Sequence, residues 1–70
     1  MIRLKVKEVA GAKHISQRKL SKLSEVDIKT LQKIFRDPYR IVTTETLDKL
    51  ARALGVDARE LIESVPDNAE

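Results

Sequence analysis

Cysteine is absent from all 70 residues, so neither a disulfide nor a cysteine-bound metal can shape this chain. That absence suits a reducing compartment. The single histidine, His14, has no acidic cluster at ligand spacing around it, which makes it a loop residue rather than a metal ligand. The two glycines, Gly11 and Gly55, stand far apart, so there is no glycine-rich loop to cradle a nucleotide phosphate. No apolar run approaches the roughly 20 residues needed to cross a bilayer. The charged opening MIRLKVKEV also lacks the apolar stretch of a secretory signal. No cofactor and no membrane partner are expected, and the chain reads as cytoplasmic.

What remains is a single small domain. With 41% apolar and 36% charged residues the chain is too hydrophobic for disorder and too charged for a membrane protein. At this length only about 60% of the surface of the unfolded chain can be buried, so the core must be small.

Charge is divided unevenly along the chain. Residues 13–40 hold eight basic and three acidic side chains, a local charge of +5, whereas residues 41–70 hold three basic and seven acidic, a local −4. Such polarity attracts a polyanion to one side and repels it from the other. Taken alone, a charge run more often makes an ordinary solvated face.

The segment 2–13 supports two periods. Ile2, Leu4 and Val6 alternate with Arg3, Lys5 and Lys7 as in a strand, while Ile2, Val6, Val9, Ala10 and Lys13 follow helical spacing. No other stretch offers a partner strand. The segment is therefore read as a first helix, with an extended start at residues 2–4 still compatible.

Residues 17–36, QRKLSKLSEVDIKTLQKIFR, read as two short helices, about Gln17–Ser24 and Ile28–Arg36, joined by a tight turn at Glu25, Val26 and Asp27. Leu20, Val26, Leu31 and Ile34 fall on one side, leaving Ile28, Lys29, Gln32 and Lys33 on the outer face of the second helix. A helix presented this way has the width to enter a DNA major groove. Ser16 is a good N-cap for the first of the pair and Asp27 for the second. Asp27 is read as structural rather than base-contacting. If Glu25 is left-handed, it carries a cost of about 1–2 kcal/mol.

Pro38 ends the pattern near Arg36 or Asp37. Thr43 or Thr44 caps a fourth helix with an apolar face of Leu47, Leu50, Ala51 and Leu54, and Gly55 suits a left-handed helix end. Asp57 and Glu60 have capping-box spacing and open a short fifth helix with Leu61 and Ile62 inward. That capping role accounts for the two carboxylates, so no acid–base chemistry is assigned to them and the chain is read as non-enzymatic. SVPDNAE is expected to be a polar, fraying tail.

The ordered pieces ISQRKL and TTETLDKLARALGVDARELIE resemble the opening and closing patterns of the Cro/C1-type, phage repressor-like helix-turn-helix family, over roughly residues 2–63. Glu25 stands where that family often has glycine, and Ile28 where it often has a polar residue. The resemblance implies an all-α, five-helix domain over residues 1–63 with a tail at 64–70. It further implies that Ile28, Lys29, Gln32 and Lys33 face the bases, while Gln17 approaches the phosphate backbone or braces the second helix. Lysine can donate to guanine, glutamine can bond adenine, and Ile28 can meet only a thymine methyl. Its alternative is a half-exposed residue without a role. Arg18, Lys22, Arg36 and Arg40 are candidates for phosphate contacts. Tyr39 covers the core edge or bonds a phosphate, and Leu23 either touches a partner or is incidentally exposed.

The expected function is sequence-specific binding of double-stranded DNA by a transcriptional regulator, with a homodimer on palindromic half-sites implied by the resemblance. The competing expectation is an antitoxin-like or adaptor domain that uses the same fold to bind protein.

Overall fold

A computed structural model of the chain describes residues 1–67. In chain order its elements are strand β1 (Ile2–Leu4), helices α1 (Val6–Ala12), α2 (Gln17–Ser24), α3 (Ile28–Arg36) and α4 (Thr44–Leu54), a 3-10 turn (Ala58–Leu61) and strand β2 (Ile62–Ser64). The expected all-α, five-helix architecture is corrected to four α-helices with a two-stranded antiparallel sheet.

Both corrections lie at the ends of the chain. The strand period wins at residues 2–4 because a partner exists after all: Ile2 lies opposite Ser64, Arg3 opposite Glu63 and Leu4 opposite Ile62. Helix begins only at Val6. The expected fifth helix shortens to the 3-10 turn, since Asp57 accepts from the Arg59 amide and no reciprocal bond from Glu60 completes the capping box. The tail expected from residue 64 also starts later, because Ser64 belongs to β2 and the Val65 amide donates to the Met1 carbonyl at 2.8 Å. Residues 68–70 of that tail lie outside the described residues.

Between the ends, the local signals are borne out except at Asp27. Ser16 Oγ accepts from the Lys19 amide at 3.1 Å, and Thr43, rather than Thr44, caps α4 by accepting from the Thr46 amide. Gly55 is left-handed, at φ 71°. Asp27 stands at the N-cap position of α3, but its carboxylate takes no amide there, which corrects the expected cap.

Leu20, Leu31, Leu50, Leu61 and Val6 are fully buried, one from each of α2, α3, α4, the 3-10 turn and α1. Phe35 and Leu47 pack half-buried against this core. The turn between α2 and α3 is tied by serine hydroxyls. Ser21 donates to the Val26 carbonyl and Ser24 to the Leu20 carbonyl, each at 2.6 Å, and the Val26 amide donates back to Ser24 Oγ. Ser24 is the buried polar residue of the core, and these bonds satisfy it.

Glu25 adopts φ 63° at the end of α2, the left-handed region that a side chain disfavours. Glu25→Gly removes that strain but adds freedom to the unfolded chain. The expected net gain is on the order of 0.5–1 kcal/mol, read as a higher melting temperature. A fall in melting temperature would overturn this account of the turn.

Arg3 bridges the ends of the chain. Its guanidinium pairs with Glu63 of β2 at 2.8 Å and with Glu8 of α1. Partial burial pushes the Glu8 carboxyl up, but the Arg3 hydrogen bond, Glu8's own backbone amide and the charges of Arg3 and Lys7 together hold the group below its ordinary value of 4.5. The folded state therefore holds the proton less tightly than the unfolded chain. The pair's contribution is present above about pH 4.5 and is lost as pH falls through the depressed value. Acid unfolding followed by circular dichroism should show a shallower loss of stability below that pH in Arg3→Met than in the parent. Identical acid limbs would contradict the assignment.

Candidate nucleic-acid interface

The roll of α3 follows from what it buries. Leu31 and Ile34 point into the core with Phe35 beside them, which leaves Lys29, Gln32, Lys33 and Arg36 exposed. Their offsets of three, four and seven residues make one stripe along the outer side of the helix. Ile28 and Thr30 are half-buried at its margins.

The remaining candidate residues are divided among different parts of the surface. Gln17 opens α2 half-buried, and it lines a cleft together with Gln32, Phe35 and Arg36 of α3 and Lys7 of α1. Arg18 and Lys22, one turn apart on α2, are both exposed, and neither lines that cleft. Arg40 belongs to a different depression, shared with Met1, Ile2, Tyr39, Ile41 and Leu47. Tyr39, expected to cover the core edge, stands there with nearly half its surface exposed. Leu23 is likewise exposed, on the outer side of α2.

Ion pairing divides the chain as charge does. Lys49 and Arg52 pair with Glu45 and Asp48 one turn earlier on α4, and Arg59 pairs with Asp57. Among the described residues, no lysine or arginine between positions 13 and 40 has an ion-pair partner. The basic side is therefore left with charges that an outside anion can meet.

A search of known protein families matches residues 6–61 to the helix-turn-helix model. The chain belongs to the Cro/C1-type helix-turn-helix family. In these terms α2 and α3 are the helix-turn-helix pair, and the family is one of DNA-binding regulatory domains. No curated protein matches the chain closely. No helix among the described residues is long and apolar enough to cross a membrane.

Sequence reasoning missed Lys7. In the register of α1, Val6 and Ala10 turn inward, so Lys7 must turn outward. The periodicity of α1 puts it off the apolar face, but nothing in that period brings it beside Gln17, Gln32 and Arg36.

Proposed function

We propose that this helix-turn-helix protein is a transcriptional regulator that reads a specific double-stranded DNA sequence by laying α3 in the major groove. The observation that carries this reading is the α3 stripe, which projects donor groups at one-turn spacing with no carboxylate paired to them. Lys29 and Lys33 offer ammonium donors to guanine O6 or N7, Gln32 suits adenine, and Ile28 suits a thymine methyl. Arg18, Lys22, Arg36 and Gln17 would meet backbone phosphates, which fixes position without reading sequence.

The test is a titration of duplex DNA at two salt concentrations, followed by selection of preferred sites from a random library. Binding should weaken by about 0.9 log unit per log unit of salt for each phosphate neutralised. Lys29→Ala and Lys33→Ala should each relax discrimination by about 1–3 kcal/mol at one base pair. Unchanged site preference in both variants would remove α3 as the reader. Salt-insensitive or absent binding would favour a protein-binding adaptor of the same fold.

The proposal extends to a homodimer on palindromic half-sites with recognition helices about 34 Å apart. It is supported by Ile41, 95% exposed just beyond the end of α3 and neighboured by exposed Met1, Ile2 and Tyr39. Such a concentration of uncovered apolar surface suits contact with a second copy. Sedimentation should show a dimer on DNA for the parent and a monomer for Ile41→Glu. A variant that still dimerises would exclude this surface.

A further inference from the structure

Between α1, the C-terminal part of α3 and β1 lies a cavity of about 530 Å³, within the span of about 300–1,000 Å³ common for small-molecule sites. Its base is apolar, formed by buried Leu4 and Ile34 with half-buried Phe35 and Pro38. One wall is pinned, because the Leu4 amide donates to the Pro38 carbonyl at 2.6 Å. The facing wall is the side of α1 that carries Lys7, Glu8 and Gly11.

Gly11 is the feature that the protein's own packing does not explain. It sits inside α1, where glycine is less favourable than alanine. Its φ is not positive, so the backbone does not demand it. A Cβ added there would meet no protein atom within 4 Å, so no neighbour demands it either. What the missing side chain does is leave the α1 wall of the cavity open.

The rim carries one cation more than it has carboxylates to meet. Arg3 and Glu8 hold each other, and Arg3 also pairs with Glu63. Lys7 makes no ion pair among the described residues. A small hydrated anion would gain nothing from the apolar base, and a hydrocarbon would gain nothing from the ammonium. A ligand that has both parts uses the whole cavity.

The geometry points to a binding site for an amphipathic monocarboxylate, an aryl or alkyl acid whose body lies on Leu4, Ile34 and Phe35 and whose carboxylate meets Lys7. The site is separate from the outer stripe of α3, and it stands or falls independently of DNA binding. Ile34 and Phe35 belong to α3, so such a ligand touches the helix whose outer side carries that stripe.

Hydrocinnamate, indoleacetate and octanoate serve as probes, each beside its neutral amide, titrated into isotopically labelled protein and followed by amide NMR. At least one acid should give saturable shifts at Gly11, Ile34 and Phe35. It should bind about tenfold more tightly than its amide, the factor for one charge-assisted hydrogen bond. Lys7→Gln should erase that preference and leave the amide's affinity unchanged, while Lys7→Arg should keep it. Gly11→Leu puts a side chain over the open wall and should abolish binding of every probe. Gly11→Ala, the smaller step, should weaken binding while raising the melting temperature.

No saturable shift from any of the three acids overturns the site, as does undiminished binding to both Gly11 variants. Equal affinity for acid and amide in the parent, or a Lys7→Gln variant that still prefers the acid, overturns the pairing with Lys7.

Discussion

A core this small dictates how α3 is turned. Full burial of a leucine or valine side chain is worth about 1.5–3 kcal/mol, against a total stability of about 5–15 kcal/mol for a domain. Leu20, Leu31, Leu50, Leu61 and Val6 meet at one centre, and none can be exposed without losing a sizeable share of that total. Leu31 and Ile34 must therefore face inward, and helical geometry puts Lys29, Gln32, Lys33 and Arg36 on the opposite side. The outward stripe is a consequence of packing. Nothing else is needed to aim it.

Aiming the stripe is not the same as holding it still, and the two strands bear on that. β1 is bonded on both sides: to β2 through the register of Arg3 with Glu63, and to the loop after α3 through the Leu4 amide, which donates to the Pro38 carbonyl at 2.6 Å. The C-terminal end of α3 is thus tied to the sheet that joins the two ends of the chain. At the other end the Ser21 and Ser24 hydroxyls fix the turn entering α3. Both ends of the helix are clamped by short polar bonds, while its middle is held by apolar contact. A rigid helix of this kind loses little freedom on binding.

The same division explains what could be read without coordinates. Ser16, Thr43 and Gly55 were legible because each acts within one turn of its own helix, and the α3 stripe because one helix contains its whole period. β1 was ambiguous because Ile2, Leu4 and Val6 satisfy both periods, and the deciding partner, Ile62, lies almost the full chain length away. Ile62 in turn looked helical because it follows Leu61 after a capping-type pair. Asp27 had the right residue type at the right position, yet its side chain forms no bond to the helix. His14 reads as a loop residue, but no glycine announces its left-handed φ of 58°. Lys7 was hidden for a further reason. The cleft it lines is assembled from three helices, and no periodicity within any one of them describes such a place.

The electrostatics follow from where the acids are spent. On α4 each cation has a carboxylate one turn away, so the field of that helix falls off quickly. On α3, Lys29 and Lys33 are one turn apart and Arg36 is three residues further on, with like charges where α4 has opposite ones. Such pairs cost a few tenths of a kcal/mol each in a free helix. An anion laid along the stripe removes that repulsion at the same moment that it gains its own contacts. The unliganded domain therefore carries a small electrostatic strain confined to the face that the core has turned outward. Relief of that strain favours a polyanion over an isolated ion, because only a line of phosphates answers the whole stripe at once.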